Sequence, residues 1–172
     1  MPRITYVVPE QQPELKELVQ QICEQRSGRV AELYAMLLNS PPVCAGWLHL
    51  LTAVRHETNL PGIHREAVIV RVAIVNDAQY EYKSHAKLLL KEGMTQQQLD
   101  ALADWESSNL FDPDLRAVLA YTDAMTRNIK VPKQTFDAVK AIYDNRQVVE
   151  LTALVGSYNL VSRFLVALEV GA

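Results

Sequence analysis

Cysteine is scarce in this sequence. Cys23 and Cys44 are the only two cysteines in 172 residues, and they form neither a CxxC pair nor a cluster with metal-ligand spacing. Two widely separated thiols are typical of a protein kept in a reducing compartment, so we expect a cytoplasmic protein. The same scarcity excludes chemistry that requires two neighbouring thiols in one motif.

The sequence also lacks a long apolar run and an excess of positive charge. Its longest apolar run, 67–75, is interrupted by Arg71 and is too short to span a bilayer, and residues 1–5 do not resemble a signal peptide. A net charge of −3 gives no general reason to expect nucleic acid or a membrane as partner. With 49% hydrophobic and 22% charged residues, the chain is expected to form one globular domain over residues 1–172.

Helical signals, in contrast, are frequent. Apolar residues recur at helical spacing, and prolines or capping residues stand at several helix starts. These signals predict roughly eight or nine helices. The clearest boundaries are Pro13 to Arg26, Ser40-Pro41, Thr95 to Gln98, Asp112-Pro113 and Asn145. The fold class is therefore predicted to be all-α.

The segment 63–75 is rich in Ile and Val, which locally favours a strand. Its alternation is poor, however, and the sequence offers no second convincing strand to pair with it, so a strand would leave its backbone unsatisfied. We predict instead a central helix that is apolar nearly all round and buried on most faces. This segment and the last helix carry more apolar surface than one domain of this size would hide, so we expect a homo-oligomer.

Asn76 and Asp77 indicate a break followed by a new helix, and either residue is expected to cap that helix. The predicted helices 61–76 and 78–92 would form an antiparallel hairpin about Asn76. Glu66 lies about 15 Å before the turn and His85 about 14 Å after it, at about 1.5 Å per residue. The two side chains are therefore predicted to meet across the hairpin, directly or through one water, and to line a cavity rather than bulk solvent.

Glu81 and His85 share a face of the second helix because they are four residues apart. A carboxylate beside an imidazole raises the pKa of the histidine and fixes its tautomer, so such a pair can transfer a proton near neutral pH. Each of these residues also has an alternative role without catalysis. In that case Glu81 and His85 form a solvated surface pair, and Glu66 interacts favourably with the helix dipole. Tyr80 and Tyr82 would be core or interface aromatics.

The segment 65–93 resembles the carboxymuconolactone decarboxylase and AhpD-like superfamily, and so do the stretches 116–125 and 149–164. Together the resemblance covers about residues 30–170. It implies an AhpD-like all-α fold with a central helical hairpin and an obligate oligomer, commonly a trimer or hexamer. In the peroxidase branch a glutamate, two cysteines and a histidine stand at the positions that correspond here to Glu66, Ala78, Glu81 and His85.

Both motif thiols are thus replaced in this chain, by Ala78 and Glu81. Thiol peroxidase chemistry needs one thiolate to attack the peroxide and a second thiol to resolve the sulfenic acid, so peroxidase activity is not expected. The decarboxylase branch also lacks the cysteine pair and has a similar run of Tyr, Glu, aromatic residue and His. This chain resembles that branch more.

The resemblance implies a cofactor-independent lyase that acts on a small carboxylate or lactone by proton transfer. The lactone carbonyl accepts the electrons, so no metal and no organic cofactor are expected, and the sequence has no repeated Glu-x-x-His pairs for a dimetal site. The alternative is a non-catalytic oligomeric binding protein of the same fold. The candidate catalytic residues are His85, Glu66 and Glu81. The candidate substrate-binding residues are Tyr80, Tyr82, Arg71 and Arg163, and either arginine would alternatively form a structural ion pair.

Overall fold

The computed structural model describes residues 1–171, and within them the chain forms nine α-helices and no strand. The helices are α1 (Lys16–Gln25), α2 (Glu32–Leu37), α3 (Pro41–His56), α4 (Gly62–Val75), α5 (Gln79–Lys91), α6 (Gln96–Ala101), α7 (Pro113–Asp123), α8 (Lys133–Ile142) and α9 (Asn145–Leu168). Short 3₁₀ turns span Pro9–Gln11, Pro13–Leu15 and Leu102–Asp104, and a π-helical turn, Ala124–Asn128, extends α7. The predicted all-α class is confirmed.

The chain divides into two compact units. The first comprises residues 1–57 and 165–171, and the second comprises residues 58–164. Every residue predicted for the site lies in the second unit. The expectation of a single domain over residues 1–172 stays a prediction.

In the first unit, Arg26 follows α1 and connects it to α2 and α3. Its guanidinium donates to the Tyr34 hydroxyl at 2.8 Å and to the Thr52 hydroxyl at 3.0 Å, and it also lies over the Tyr34 ring. At the start of α3, Ser40 occupies the N-cap position with Pro41 as the first helical residue, as predicted. The Ser40 hydroxyl makes no capping hydrogen bond, so the proline alone marks this helix start.

In the second unit, α4 is the central element. Its residues from Glu66 to Ala73 are all buried, which confirms a helix that is covered on most faces. Ala67 and Val70 belong to a core cluster to which α5, α6, α7 and the adjoining segments also contribute. The other members of that cluster are Ala86, Leu89, Met94, Leu99, Leu102, Trp105, Phe111, Leu115 and Leu119.

Several helix starts in the second unit follow their sequence signals. Thr95 forms the predicted capping box with Gln98 at α6, and Asp112 accepts from the Leu115 amide at 2.8 Å at α7. Helix α9 begins at the predicted boundary, Asn145, but the expectation that Asn145 caps it is wrong by one residue. Asp144, and not Asn145, is the cap, because its carboxylate accepts from the Gln147 amide at 2.8 Å.

The turn between α4 and α5 is tight. Asn76 ends α4, and Asp77 adopts a left-handed backbone conformation with φ of 51°. Ala78 then precedes α5 without a side-chain cap, so the expectation that Asn76 or Asp77 would cap α5 is wrong. Asp77 is used instead to reverse the chain, because Asp tolerates this conformation better than most other non-glycine residues.

The last helix, α9, is long and apolar enough to cross a membrane by length and composition alone, with a mean hydropathy of 1.4 over its most apolar window. Half of that window is buried inside the protein. This pattern is typical of a core helix.

Candidate active site

The hairpin of α4 and α5 brings Glu66 and His85 into direct contact. Glu66 Oε2 lies 2.7 Å from His85 Nδ1, and both side chains are buried, with Glu66 4% and His85 8% exposed. This confirms the contact predicted from equal heights along the two helices. Their catalytic role stays a prediction.

The Glu66 contact also selects the reactive nitrogen of His85. A carboxylate at Nδ1 holds a proton on that nitrogen, so Nε2 is left to accept or donate a second proton. The hydroxyl of Tyr158, on α9, lies 3.4 Å from Nε2, and the two rings meet edge to face with centroids 5.2 Å apart. Glu66, His85 and Tyr158 thus form a buried carboxylate–imidazole–phenol chain.

A second polar contact lies one helical turn from this chain. The Ser162 hydroxyl lies 3.0 and 3.2 Å from the two carboxyl oxygens of Glu81. Glu81 precedes His85 by four residues on α5, whereas Ser162 follows Tyr158 by four residues on α9. The two helices therefore run in opposite directions here. They are joined by two successive side-chain contacts, His85 to Tyr158 and Glu81 to Ser162, which we call rungs.

Glu81 is the more deeply buried carboxyl of the two, with 2% exposure. Burial raises the pKa of Glu81 to about 9, and the hydrogen bond from Ser162 lowers it by less. The group is therefore a neutral carboxylic acid at pH 7. This placement contradicts the alternative in which Glu81 and His85 are a solvent-exposed surface pair.

The first turns of α4 add a cation to the site. Arg65 Nε lies 3.5 Å from Glu66 Oε1, and its Nη2 lies 3.3 Å from Oε1 of Glu92, which follows α5. The Glu92 carboxylate also lies against the first residue of α4, where a Cβ on Gly62 would meet it. A carboxylate in that position favours the helix dipole, which is the role that had been the alternative for Glu66.

The structure places Arg71 in an ion pair with Asp123. Its guanidinium donates to both oxygens of Asp123 at 2.6 Å, and Nη1 donates to the carbonyls of Leu102 and Ala103 at 2.9 Å. The Trp105 indole donates to the same carboxylate at 3.2 Å. These contacts match the structural alternative for Arg71 and join α4 to α7.

Arg163, the other candidate arginine, is exposed and is held by Asn159 one turn earlier. Its Nη1 donates to the Asn159 side-chain oxygen at 2.7 Å and to the Asn159 carbonyl at 3.1 Å. The Asn159 side chain also accepts a hydrogen bond from the Asn76 side chain at 3.1 Å and donates one to the Thr126 hydroxyl at 3.0 Å. Asn159 therefore joins the hairpin turn, the π-helical turn and α9.

The two candidate tyrosines of α5 are half-buried. Tyr82 packs against the core cluster and lines a cleft of about 280 Å³ with residues of α4 and α6. The carbonyl of Tyr80 accepts from the Ser84 hydroxyl at 2.9 Å. The phenol that the structure brings to His85 is Tyr158 instead.

Sequence reasoning thus missed three members of the site: Arg65, Tyr158 and Ser162. A signal for two of them was present. Tyr158 and Ser162 are polar side chains four residues apart on α9, which is the same spacing as Glu81 and His85 on α5. Pairing those two equal spacings would have predicted the rungs between α5 and α9.

The motif positions that would carry thiols hold no sulfur here. Ala78 is buried at the start of α5, and Glu81 is the carboxylic acid described above. Both cysteines are free and lie in the first unit, and burial raises the pKa of Cys44 to about 11. Within residues 1–171 no three side chains of the types His, Cys, Asp or Glu are grouped so as to hold a metal ion.

Fold and site together define an AhpD-like all-α protein in which a carboxylate–imidazole–phenol chain stands without a thiol pair. Residues 41–124 match the model of the carboxymuconolactone decarboxylase family. The chain is similar to the uncharacterised protein YnjA of Escherichia coli K12, with 29% identity over 131 residues, covering 74% of this chain and 68% of YnjA.

Two solved structures share the fold. The first is an alkylhydroperoxidase AhpD core, an uncharacterised peroxidase-related protein from Ralstonia eutropha JMP134, with a TM-score of 0.83 and 15% identity, covering 98% of this chain and 90% of that protein. The second is the debrominase Bmp8, with a TM-score of 0.80 and 14% identity, covering 97% of this chain and 90% of Bmp8. A cysteine-to-alanine variant of Bmp8 has been solved with 2,3,4-tribromopyrrole.

Proposed function

We propose that this protein is a cofactor-independent lyase that removes carbon dioxide from a small carboxylate or lactone by general acid/base proton transfer. The observation that carries the proposal is the buried contact between Glu66 and His85 Nδ1, with the Tyr158 hydroxyl at Nε2. An imidazole with one nitrogen fixed by a carboxylate and the other beside a hydroxyl can deliver a proton from a defined atom. This is the protein's part in such a reaction.

The proposed decarboxylation has two steps, loss of carbon dioxide and protonation of carbon. The bond between the carbon and its carboxylate breaks, carbon dioxide leaves, and the electron pair delocalises onto the lactone carbonyl as an enolate. A carbon of this enolate then takes a proton from His85 Nε2, and His85 regains a proton from solvent. Glu66 stabilises the imidazolium that donates the proton, because an opposite charge at 2.7 Å favours the charged form.

The principal competing chemistry of this fold fits less well. A thiol peroxidase needs a reactive thiolate and a resolving thiol in the motif, where this chain has Ala78 and Glu81. Bmp8, the debrominase with this fold, has been solved with a small substituted ring compound. That ligand supports the expectation that the fold accepts ring substrates the size of a lactone.

A non-catalytic oligomeric binding protein is the alternative. A protein without catalytic function has little reason to retain a buried carboxyl, a buried imidazole and a buried phenol in one chain, because each polar group is costly to remove from water. The burial of Glu66, His85 and Tyr158 therefore supports the enzyme.

The decisive experiment offers carboxymuconolactone to the purified protein and follows the release of carbon dioxide. We expect turnover by the wild type, and we expect His85→Ala to lower kcat by about 10² to 10⁴, the usual contribution of a positioned general acid or base. Circular dichroism of His85→Ala should match the wild type. Unchanged turnover in a folded His85→Ala variant would exclude His85 as the proton donor.

Glu66 allows a matched comparison, because Arg65 contacts both Glu66 and Glu92. We expect Glu66→Gln to lower kcat, because the amide keeps the shape and loses the charge that sustains the imidazolium. Glu92→Gln removes a carboxylate from the same arginine without touching His85, so kcat should stay within about twofold of the wild type, as for surface substitutions in general. Equal losses in both variants would assign the effect to Arg65 and not to the contact with His85.

A further inference from the structure

Glu81 is a second carboxyl in the site, and its surroundings differ from those of Glu66. Glu66 contacts an arginine and a histidine, whereas the partner of the Glu81 side chain within residues 1–171 is the Ser162 hydroxyl. The antiparallel register of α4 and α5, which pairs Glu66 with His85, places the fully buried Val70 at the height of Glu81. An uncompensated carboxylate is disfavoured in such a place.

The position of Glu81 relative to His85 is set by two helices. On α5 the two residues are one turn apart and on one face, at a separation of about 5 to 6 Å between Cβ atoms. On α9, Ser162 and Tyr158 repeat that spacing and hold the two side chains in successive rungs. This spacing suits a substrate whose reacting carbon lies at His85 Nε2 and whose carbonyl oxygen lies within a few ångströms of it.

We propose that Glu81 acts as an uncharged carboxylic acid that donates a hydrogen bond to the enolate oxygen formed when the substrate loses carbon dioxide, and that Ser162 positions it. The inference rests on the lyase function proposed above and assigns Glu81 its role there. When the carbon–carboxylate bond breaks, its electron pair moves onto the carbonyl oxygen, which the Glu81 O–H then faces. No proton leaves Glu81, and the carbon is protonated by His85.

Charge explains why the acid form is needed. A substrate that loses carbon dioxide is an anion, and the enolate that remains is also negative. Ionised Glu81 beside the Glu66 carboxylate would repel both species, whereas the neutral acid offers a donor at the atom where charge develops. The raised pKa of Glu81, caused by burial, agrees with this geometry.

Two substitutions of Glu81 test whether it acts as a hydrogen-bond donor or as a base. Glu81→Gln keeps the length and a hydrogen-bond donor, and Glu81→Met keeps approximately the length and removes the donor. With carboxymuconolactone we expect Glu81→Gln to stay within about tenfold of wild-type kcat and Glu81→Met to lose about 10² to 10³, the effect of removing one oxyanion donor. Lys87→Met, an exposed change on the same helix, is the control and should match the wild type. Equal losses in the Gln and Met variants would overturn the proposal.

A binding experiment needs no turnover. The anion of 4-nitrophenol carries its charge on an oxygen attached to an unsaturated carbon, as an enolate does, and its binding is followed by absorbance. We expect wild type and Glu81→Gln to bind it with dissociation constants within about tenfold of each other and Glu81→Met to bind at least about tenfold more weakly. Absence of binding to wild type, or equal binding by Glu81→Met, would overturn the proposal.

Infrared spectroscopy reports the protonation state directly. At pH 7 the wild type should show the carbonyl stretch of a protonated carboxylic acid, and this band should be absent in Glu81→Gln. In Ser162→Ala the band should persist to higher pH, because the Ser162 hydrogen bond lowers the pKa of Glu81. A wild type without the band at pH 7 would overturn the proposal. If carbon dioxide is not released from carboxylated lactones, the lyase function fails, and the phenolate and infrared results still decide the role of Glu81.

Discussion

At the scale of single residues, two glutamates of one site have different partners. Glu66 lies between the Arg65 guanidinium, which favours the carboxylate, and His85 Nδ1. Glu81 has a serine hydroxyl as its partner, and burial keeps it protonated at pH 7. Pairs of carboxyls with opposed environments are typical of sites that divide acid and base tasks.

The protonated state of Glu81 predicts a pH-dependent stability. Its pKa is about 9 in the folded protein and near the ordinary 4.5 in the unfolded chain. Between these values the folded state holds a proton that the unfolded state releases, so the free energy of unfolding falls as the pH rises, by about 1.4 kcal/mol per pH unit at most. Above pH 9 both states are ionised and this dependence ends.

Urea unfolding at pH 6 and pH 8 measures the effect. The wild type should lose about 1 to 3 kcal/mol more than Glu81→Gln between these two values, because the amide does not titrate. Subtracting the variant removes the contribution of every other group. Parallel pH dependence in the two proteins would show that Glu81 is ionised in the folded state.

A second prediction at this scale concerns the thiols. The buried Cys44, whose pKa is raised to about 11, is a poor nucleophile, and neither cysteine lies in the motif. We expect no thiol-dependent turnover of alkyl hydroperoxides, even with dithiothreitol as reductant. Peroxidase activity that disappears on Cys23→Ser or Cys44→Ser would contradict this expectation.

At the scale of elements, the site depends on the register of helices. A short turn reverses α4 into α5, so residues about equally far from the turn meet, and α9 runs antiparallel to α5 at the rungs. Asn159 binds the turn residue Asn76 and so couples α9 to the hairpin. A slip of one residue in either pairing would turn His85 away from its partners by about 100°.

The ion pair between Arg71 and Asp123 joins α4 to α7, and we expect it to contribute to the stability of the protein. Arg71→Met should destabilise the protein by about 3 to 5 kcal/mol, because it leaves the largely buried Asp123 carboxylate with only a longer contact to Arg127, at 3.9 Å. Asp123→Leu alone should be similarly harmful, whereas the double variant should regain most of the loss, because no buried charge is then left unpaired. Urea denaturation measures all three proteins, and additive losses in the double variant would show that the two side chains act independently.

At the scale of the whole molecule, the predicted homo-oligomer now rests on α9. The segment 63–75 buries its central side chains within its own chain, so it does not supply the interface that had been expected from it. On α9, Val149 and Leu160 are 67% and 46% exposed. Exposed aliphatic side chains on a helix that is only partly buried favour association.

We predict a trimer or hexamer in light scattering at micromolar concentration. Leu160→Glu should shift the protein towards smaller species, because a charge in an apolar interface is costly to bury. Lys87→Glu, an exposed substitution on α5, is the control. A wild type that is monomeric at this concentration would refute the prediction.

Local features of this protein were decided by the sequence itself. The helical class, the capping box at Thr95, the proline start of α7 and the chain reversal at Asn76 all follow from short-range patterns of spacing and capping. The contact between Glu66 and His85 was also predictable, because a hairpin with a known turn converts sequence distance into height. The absence of the motif cysteines required no structure.

Tertiary structure alone decided the remaining features. Tyr158 and Ser162 reach the site from a helix about 70 to 80 residues further along the chain, and no local pattern sets the register between α5 and α9. The partner of Arg71 and the charge of Glu81 depend on burial by several elements at once. Burial and long-range pairing are properties of the packed chain, so they cannot be determined from the neighbours of a residue in the sequence.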